Sequence, residues 1–307
     1  MGKGGSLHHD GDRHRGGWRR RLAPALAAAH DLMVVAAGRG RLSRLFPPRA
    51  EHSPFGTPQR VVIGGFFRGV AYSTPLALEV TVNPRHGEIL CMPVWSSEPD
   101  LSGIALEIVP GGAFESLAQI QVTDDTRSFD AAVLSLLREH APEIFARIET
   151  AAFGSTRPLD LVRTAITPIV RRGYVRLSNR TYAVALGDAH VLLDPLTGQG
   201  ANTASHSAWV LGEAIRDSHG FDEDFCREAE RRICAYAVPV SDACNARLKP
   251  SEPHFVELLK GAALHQELAN IYSDGFNHPD RFWDTVSSPE RTRALLKQFD
   301  GESIAAL

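Results

Sequence analysis

The sequence predicts a mixed α/β chain, α+β in arrangement: a strand–turn–helix unit that can seat a ligand, an antiparallel sheet inserted ahead of it, and a helical C-terminal region. Three observations carry this. Residues 181–186 form an apolar run that leads through Gly187-Asp188 and Asp194-Pro195 into Gly198-Gln199-Gly200 and a helix-patterned segment at 201–215. Residues 60–123 hold four or five short strand-like runs separated by turn residues. Beyond residue 220 the apolar residues recur at helical spacing. The 307 residues are ample for a substantial core, and 43% hydrophobic with 22% charged residues is ordinary for a globular protein. A formal charge of -3 offers no case for a nucleic-acid partner.

Along the chain, residues 1–29 read as a disordered or aberrant N-terminus, rich in Gly, His, Asp and Arg without apolar periodicity. His8, His9, Asp10, Asp12 and His14 have metal-ligand chemistry, but nothing packs them into fixed geometry, so a solvated tail is expected. Trp18-Arg19-Arg20-Arg21 followed by an apolar stretch imitates a signal peptide. Its charged region is unusually long and a strand follows directly, so a cytoplasmic location is expected. No run of 18 apolar residues predicts a membrane span. Residues 31–38, apolar and ending in Gly38, suit a parallel strand buried on both faces. The Pro- and Arg-rich stretch 39–60 reads as a crossing loop.

Strands are expected at 60–67, 77–82, 88–94, 104–109 and 119–122, with turns at 83–87, 98–100 and 110–112. Their short spacing predicts an antiparallel sheet. A helix over 125–140 would be capped by Thr126 or Ser128 and would bury Phe129, Val133, Leu136 and Leu137. A shorter helix follows at 142–148, then strands at 159–164 and 174–176. In the helix at 201–215, Ala204, Ala208, Leu211 and Ile215 are expected to face inward. Phe225, Ala229, Ile233 and Tyr236 share a later face, Glu228 and Arg232 form an i,i+4 pair, and Ser288-Pro289-Glu290 starts a last helix running to Phe299. Cys91, Cys226, Cys234 and Cys244 include no Cys-x-x-Cys pair and read as free, mostly packed thiols, with no metal site.

The candidate binding residues are Gly187, Asp188, Asp194, Pro195, Gly198, Gln199, Gly200, Ala201 and Asn202. The first N–H groups of a helix have no intrahelical partner, and the helix dipole adds positive potential there. Glycines at 198 and 200 admit a ligand to the backbone without meeting a Cβ. A carboxylate at 188, at the end of a buried strand, can accept a hydrogen bond from a sugar or ribityl hydroxyl. The bland alternative is a tight loop with a C-capping glycine, and for Asp194 a simple Asp-Pro turn stands on even terms. His190 and His206 read as ordinary hydrogen-bonded histidines. A serine hydrolase is disfavoured: Gly-x-Ser-x-Gly is absent, and Ser205 and His206 are adjacent on a helix, so their side chains diverge.

The run Gly187-Asp188, Asp194-Pro195, Gly198-Gln199-Gly200-Ala201-Asn202 resembles the second flavin signature of FAD-dependent aromatic monooxygenases. The order of features resembles the oxygenase component of two-component styrene and indole monooxygenases. Residues 30–38, Ser53-Pro54-Phe55 with Pro58-Gln59-Arg60, Ala208-Trp209 with Leu211-Gly212-Glu213, Phe276-Asn277-His278-Pro279, Trp283, and Ser287-Ser288-Pro289-Glu290-Arg291 carry that likeness. It extends from about residue 30 to residue 293. It implies a truncated FAD-binding domain of the glutathione-reductase/hydroxybenzoate-hydroxylase type. The remnant would be 30–52, an inserted substrate-binding domain 53–170, the FAD-binding return 171–218 and a helical C-terminal region 219–307.

The resemblance further implies epoxidation of small apolar alkenes or aromatics by O₂ through a C4a-peroxyflavin. FAD carries the chemistry, no side chain is catalytic, and an NADH-dependent flavin reductase supplies the reduced flavin. Asp188 would bind ribityl or phosphate-proximal hydroxyls, and Pro195 with backbone 196–198 would line the oxygen-reactive ring edge. The helix start at Gly200-Ala201-Asn202 would stabilise negative charge at N1–C2=O. Apolar strand residues between 61 and 109 would wall the pocket, but the sequence does not show which point inward. The family's opening strand with Gly-x-Gly-x-x-Gly has no counterpart, and Gly2-Lys3-Gly4-Gly5 does not follow a strand. The first βαβ unit is therefore expected to be missing, leaving strand 31–37 with an apolar edge that favours association, a homodimer among the candidates. Three readings follow: a monooxygenase with a mis-assigned start or frame, a non-catalytic truncated paralogue acting as a ligand-binding or interaction module, and a flavin-independent enzyme on a remodelled scaffold.

Overall fold

A computed structural model describes residues 29–299 apart from 84, 121–124, 178–180 and 250–251. The expectations for residues 1–28 lie outside the described residues. Strand β1 (Leu32–Val35) runs parallel to β10 (Tyr182–Ala185), in register Leu32↔Tyr182, and β9 (Tyr174–Arg176) pairs antiparallel with the other edge of β10. The central strand β10 is buried throughout, as its unbroken apolar run predicts. For β1, burial on both faces is corrected: Val34 is 41% exposed, while Val35 packs with Phe46, Ala183, Ala185 and Ala189. The Met33–Val35 face packs on that layer, while on the other face Leu32 meets the core of Tyr182, Val184 and Leu211 and Val34 is left exposed.

The large sheet runs in the order β3 (Glu79–Asn83), β4 (Gly87–Pro93), β5 (Ser102–Ile108), β2 (Val61–Arg68), β6 (Gly154–Ser155), and β7 (Val162–Ala165) also pairs with β2. All of these pairings are antiparallel. One face of this sheet carries Ile63, Phe67, Ile89, Cys91, Ile104, Leu106 and Ile108. It packs on α1 (Glu115–Gln119), α2 (Arg127–His140) and α3 (Pro142–Phe145) through Leu117, Phe129, Val133, Leu137 and Ile144. Because strand side chains alternate between faces, the register puts Val62, Gly64, Phe66, Glu88, Leu90, Met92, Gly103, Ala105 and Glu107 together on the opposite face.

Three local expectations are corrected. Where a strand was expected from 119, residues 115–119 form α1, and 121–124 lie outside the described residues. The stretch 159–164 opens as a 3₁₀ turn (Pro158–Asp160), because Asp160 accepts from the Thr156 hydroxyl at 2.6 Å and from Arg157 at 2.7 Å; β7 follows it. Thr126 does occupy the position before α2, but its hydroxyl donates to Asp130 Oδ2 at 2.7 Å rather than accepting from the helix backbone.

Helix α4 (Gly200–Arg216) buries Thr203, Ser207, Leu211 and Ala214. Leu211 lies inward as expected, but Ala208 is exposed and Ala204 and Ile215 are half-buried. The buried face is thus rotated by about one residue. The cause is that Ser207 answers its own polarity, its hydroxyl donating to Thr203 O at 2.7 Å, so it can lie inward.

The long helix α5 (Glu223–Arg247) starts at Asp222, whose side chain accepts from Phe225 N at 2.9 Å. It buries Cys226, Ala229, Ile233, Ala237 and Val240, with Phe225 and Tyr236 packed against that core. Glu228 accepts from Arg232 at 2.8 Å, as expected. Helices α6 (Pro253–Leu264), α7 (Gln266–Asp274), α8 (Pro279–Val286) and α9 (Pro289–Leu296) enclose Leu258, Leu268, Phe282, Val286, Leu295 and Leu296. Ser288 caps α9 by accepting from Arg291 N at 3.3 Å, and the helix ends at Leu296 rather than at Phe299. The four cysteines are free and three are buried. Among the described residues, no helix is long and apolar enough to cross a membrane.

Candidate functional site

Strand β10 delivers the chain into a 3₁₀ turn, Gly187–Ala189, which packs on α4; a Cβ added at Gly187 would lie 3.4 Å from the Ala204 Cβ. The short strand β11 (Val191–Leu192) then pairs with β8 (Ile169–Val170), and Asp194 begins a second 3₁₀ turn, Pro195–Thr197. Gly198 closes that turn at φ +64°, and Gly187 sits at φ +58°. Both are left-handed conformations that side chains strain to adopt. Helix α4 starts immediately afterwards.

The start of α4 has no side-chain cap and no acidic residue in its first turn, so its leading N–H groups keep their full donor capacity. A Cβ built at Gly198 or Gly200 would meet nothing within 4 Å. Open space therefore lies over bare backbone at a positive helix end, with the Asp188 turn packed on the same helix. This geometry fits an electron-rich ring or an anion with a hydroxylated tail.

The signature side chains divide in their roles. Gln199 is buried and its Nε2 donates to Phe276 O at 2.8 Å, tying the signature to the C-terminal helices; Asn202 Nδ2 donates to Gln199 Oε1 at 3.4 Å. Ala201 and Asn202 are exposed, Pro195 is half-buried, and the Asp188 carbonyl accepts from Arg171 at 3.3 Å. Asp194 is fully buried. Its Oδ1 accepts from Leu196 N at 3.1 Å, as the Asp-Pro turn reading requires, and its Oδ2 has no hydrogen-bond partner.

The large sheet carries a buried charged group that sequence reasoning missed. Arg60, at the entry to β2, is buried and donates to both oxygens of Glu88, at 2.9 and 3.1 Å. Glu88 on β4 stands cross-strand from Glu107 on β5, and Glu107 is buried with Oε2 unpaired. Burial, then the charges of Asp194 and Glu88, push the Glu107 carboxyl up to about 8; burial foremost pushes Asp194 up to about 6. The available signal was a charged residue inside each of two apolar strands, residues 87–91 and 104–109.

His190 is hydrogen-bonded as expected through Nε2, which meets the Cys234 sulfur at 3.8 Å, while one ring nitrogen of each of His190 and His206 is unpaired. His190 is buried with Nδ1 unpaired, and burial, then Arg49, push its imidazole down to about 4. His206 Nδ1 is also unpaired, and its ring stacks on Tyr236 at 4.1 Å. The ligand atoms of His190, Glu230 and Cys234 lie within 4.8 Å of one another. Arg49 Nη1 approaches the Cys234 sulfur at 3.6 Å, and Gly173 N donates to Glu230 at 2.6 Å.

Comparison with known proteins places this geometry in context. Residues 38–147 match the sequence family described as the substrate-binding domain of styrene monooxygenase A. Styrene monooxygenase StyA of Pseudomonas fluorescens is 35% identical over 280 residues, covering 89% of this chain and 67% of that protein. The StyA of a Pseudomonas species is 34% identical over the same length. The chain thus spans about two thirds of the length of these relatives. Among solved structures, a triple mutant of the flavin-dependent brominase Bmp2 superposes with a TM-score of 0.50 at 14% identity, covering 89% of this chain and 63% of that one.

Proposed function

The chain belongs to the styrene monooxygenase StyA family, and from that premise we propose that it is the oxygenase part of an FAD-dependent monooxygenase that epoxidises small apolar alkenes or aromatics. The observation that carries this is the uncapped start of α4, open above Gly198 and Gly200 and packed against the Asp188 turn. Reduced FAD, supplied by a partner NADH-dependent reductase, would bring the oxygen-transferring chemistry. The protein's own residues bind, orient and exclude water. Asp188 would accept hydroxyl hydrogen bonds from the cofactor's chain. The N–H groups at Gly200–Asn202, at the helix end, would stabilise negative charge on the reduced cofactor. Pro195 and the backbone to Gly198 would border the bound cofactor, and the Gln199–Phe276 tie holds this loop in place.

The substrate wall is the face of the large sheet turned away from α2. Gly64, Gly103 and Ala105 make it shallow, and Phe66, Leu90 and Met92 make it apolar. An apolar cover suits a small hydrocarbon and keeps water from the reacting oxygen. Residues 53–170 on this reading are the substrate-binding domain, and 171–218 the cofactor-binding return.

The test is an FAD titration of the full chain, with oxidised and reduced flavin, alongside Asp188→Ala. Saturable binding weakened about tenfold or more by the substitution supports the reading, since a hydrogen bond to a charged acceptor is worth about 1.5–3 kcal/mol. Styrene and indole oxidation with an added flavin reductase then reports activity. Absence of binding at high micromolar FAD would turn the reading toward a non-catalytic module.

A further inference from the structure

Three side chains of different ligand chemistry converge where α5 meets the turn that leaves β10. Glu230 and Cys234 stand at i,i+4 on α5 and so share one face of the helix. His190, at the end of the Gly187–Ala189 turn, meets them there, its Nε2 lying 3.8 Å from the Cys234 sulfur. One ligand atom each of the imidazole, the carboxylate and the thiol all lie within 4.8 Å of one another. Gly173 makes the approach possible, since a Cβ there would lie 2.9 Å from Glu230 Cγ and 3.2 Å from His190 Cε1. Its N–H donates to Glu230 Oε1 at 2.6 Å and so orients the carboxylate. His190 is 1% exposed and its Nδ1 has no partner. A thiol is a weak partner for the other nitrogen, so this buried imidazole is poorly satisfied by the protein alone.

We propose that His190, Glu230 and Cys234 form a binding site for a zinc-type divalent cation, which ties the Gly187–Ala189 turn to α5. One nitrogen, one oxygen and one sulfur donor are a set that such a borderline-soft ion takes, and three protein ligands leave a fourth position for water. Tetrahedral bonds of about 2.0–2.3 Å place ligand atoms about 3.3–3.6 Å apart, so closing the trio asks for side-chain movements on the order of 1 Å. Binding is a ligand exchange without redox change: the Cys234 S–H bond breaks, its proton passes to solvent, and the metal–sulfur bond forms. The thiolate and the Glu230 carboxylate together balance the charge of the dication. Arg49 Nη1, 3.6 Å from the sulfur, steps aside. Its side chain is 28% exposed and also bonds Glu51 at 3.0 Å, so the guanidinium keeps a partner and water. Cys234 is only half-buried, unlike the other three cysteines, which gives the ion a way in. Asp188 lies in the tied turn, so on the cofactor reading above the ion also steadies the hydroxyl acceptor; the metal site itself does not depend on that reading.

Cobalt(II) is the probe, because it takes the geometry of zinc and its bonds to sulfur absorb light. The full chain, reduced and stripped of metal with a chelator, is titrated with Co²⁺. A thiolate-to-cobalt charge-transfer band should appear in the near ultraviolet, saturate, and be bleached by added Zn²⁺. Cys234→Ser should abolish that band, and Cys226→Ala should keep it. His190→Gln and Glu230→Gln should each weaken binding at least about tenfold, the loss seen when even an outer partner of a metal ligand is removed. His8, His9 and His14 also offer nitrogen ligands, but without sulfur they add nothing to this band. The tie to the turn is read separately. With Zn²⁺ at about ten times its dissociation constant, hydrogen-exchange protection at residues 189–192 should rise about tenfold in the parent and not in Cys234→Ser. Neither readout involves flavin, so failure of the cofactor reading leaves both untouched.

Absence of the charge-transfer band in the parent would overturn the proposal. So would a band that survives Cys234→Ser, or one whose titration is unmoved by both His190→Gln and Glu230→Gln, since cobalt would then sit on a thiol alone. Protection at residues 189–192 that does not respond to Zn²⁺ would overturn the tie between the turn and α5. Should His190→Gln fail to fold, Glu230→Gln and Cys234→Ser, at half-buried positions, decide by the same criteria.

Discussion

Arg60→Met should be strongly damaging, because it breaks a buried ion pair. The Arg60–Glu88 pair is two-pronged at 2.9 and 3.1 Å, with side chains only 9% and 10% exposed. Two unit charges about 4 Å apart at an effective dielectric near 20 attract by about 4 kcal/mol. Removing one partner forfeits this and strands the other charge, and such changes cost about 3–5 kcal/mol. Glu88 would then stand cross-strand from Glu107 with no guanidinium to answer it. We expect a loss of about 4 kcal/mol at neutral pH, read from urea denaturation with an unchanged slope. Arg60→Met combined with Glu88→Leu should recover most of the loss, since an apolar pair of similar volume replaces a buried ion pair at little cost. A single-variant loss under about 1 kcal/mol, or a double variant no better than the single one, would refute the argument.

Three further outcomes are expected. Gly87→Ala should lose roughly 3 kcal/mol or more in a denaturation experiment, because φ is +128° there and the new Cβ would lie 2.0 Å from the Glu107 carbonyl oxygen. Gly200→Val should leave stability within about 1 kcal/mol, as its side chain meets open space, but should weaken FAD binding at least about tenfold in a fluorescence titration. His190, held down to about 4, makes the folded state the poorer proton acceptor, so its contribution is intact above about pH 6.5 and is lost as pH falls toward 4. About 2.5 pKa units correspond to about 3 kcal/mol, and His190→Gln should remove that part of the acid-side slope of stability against pH.

The sequence by itself determined the elements whose chemistry is local. Four strands of the large sheet, the face of α2 from Phe129 to Leu137 and the run from Gly187 to Asn202 were all legible, because alternation, helical spacing and glycine at positive φ are written in neighbouring residues. The family resemblance rested on the same local runs. The rotated face of α4 was not legible, since Ser207 lies inward only through its bond to Thr203, which hydropathy does not record.

Tertiary structure alone decided what faces what. Register put Gly64, Phe66, Leu90, Met92, Gly103 and Ala105 on one side of the sheet and Ile63, Phe67, Ile104 and Leu106 on the other; a shift of one residue would exchange the two sets. It also brought Arg60, Glu88 and Glu107 together in the buried part of the large sheet, although they come from three different strands or strand entries. A strand's sequence shows that a charged residue is out of place in it. Only the fold supplies the neighbour that answers the charge, because burial and distance are properties of elements that meet from far apart in the chain.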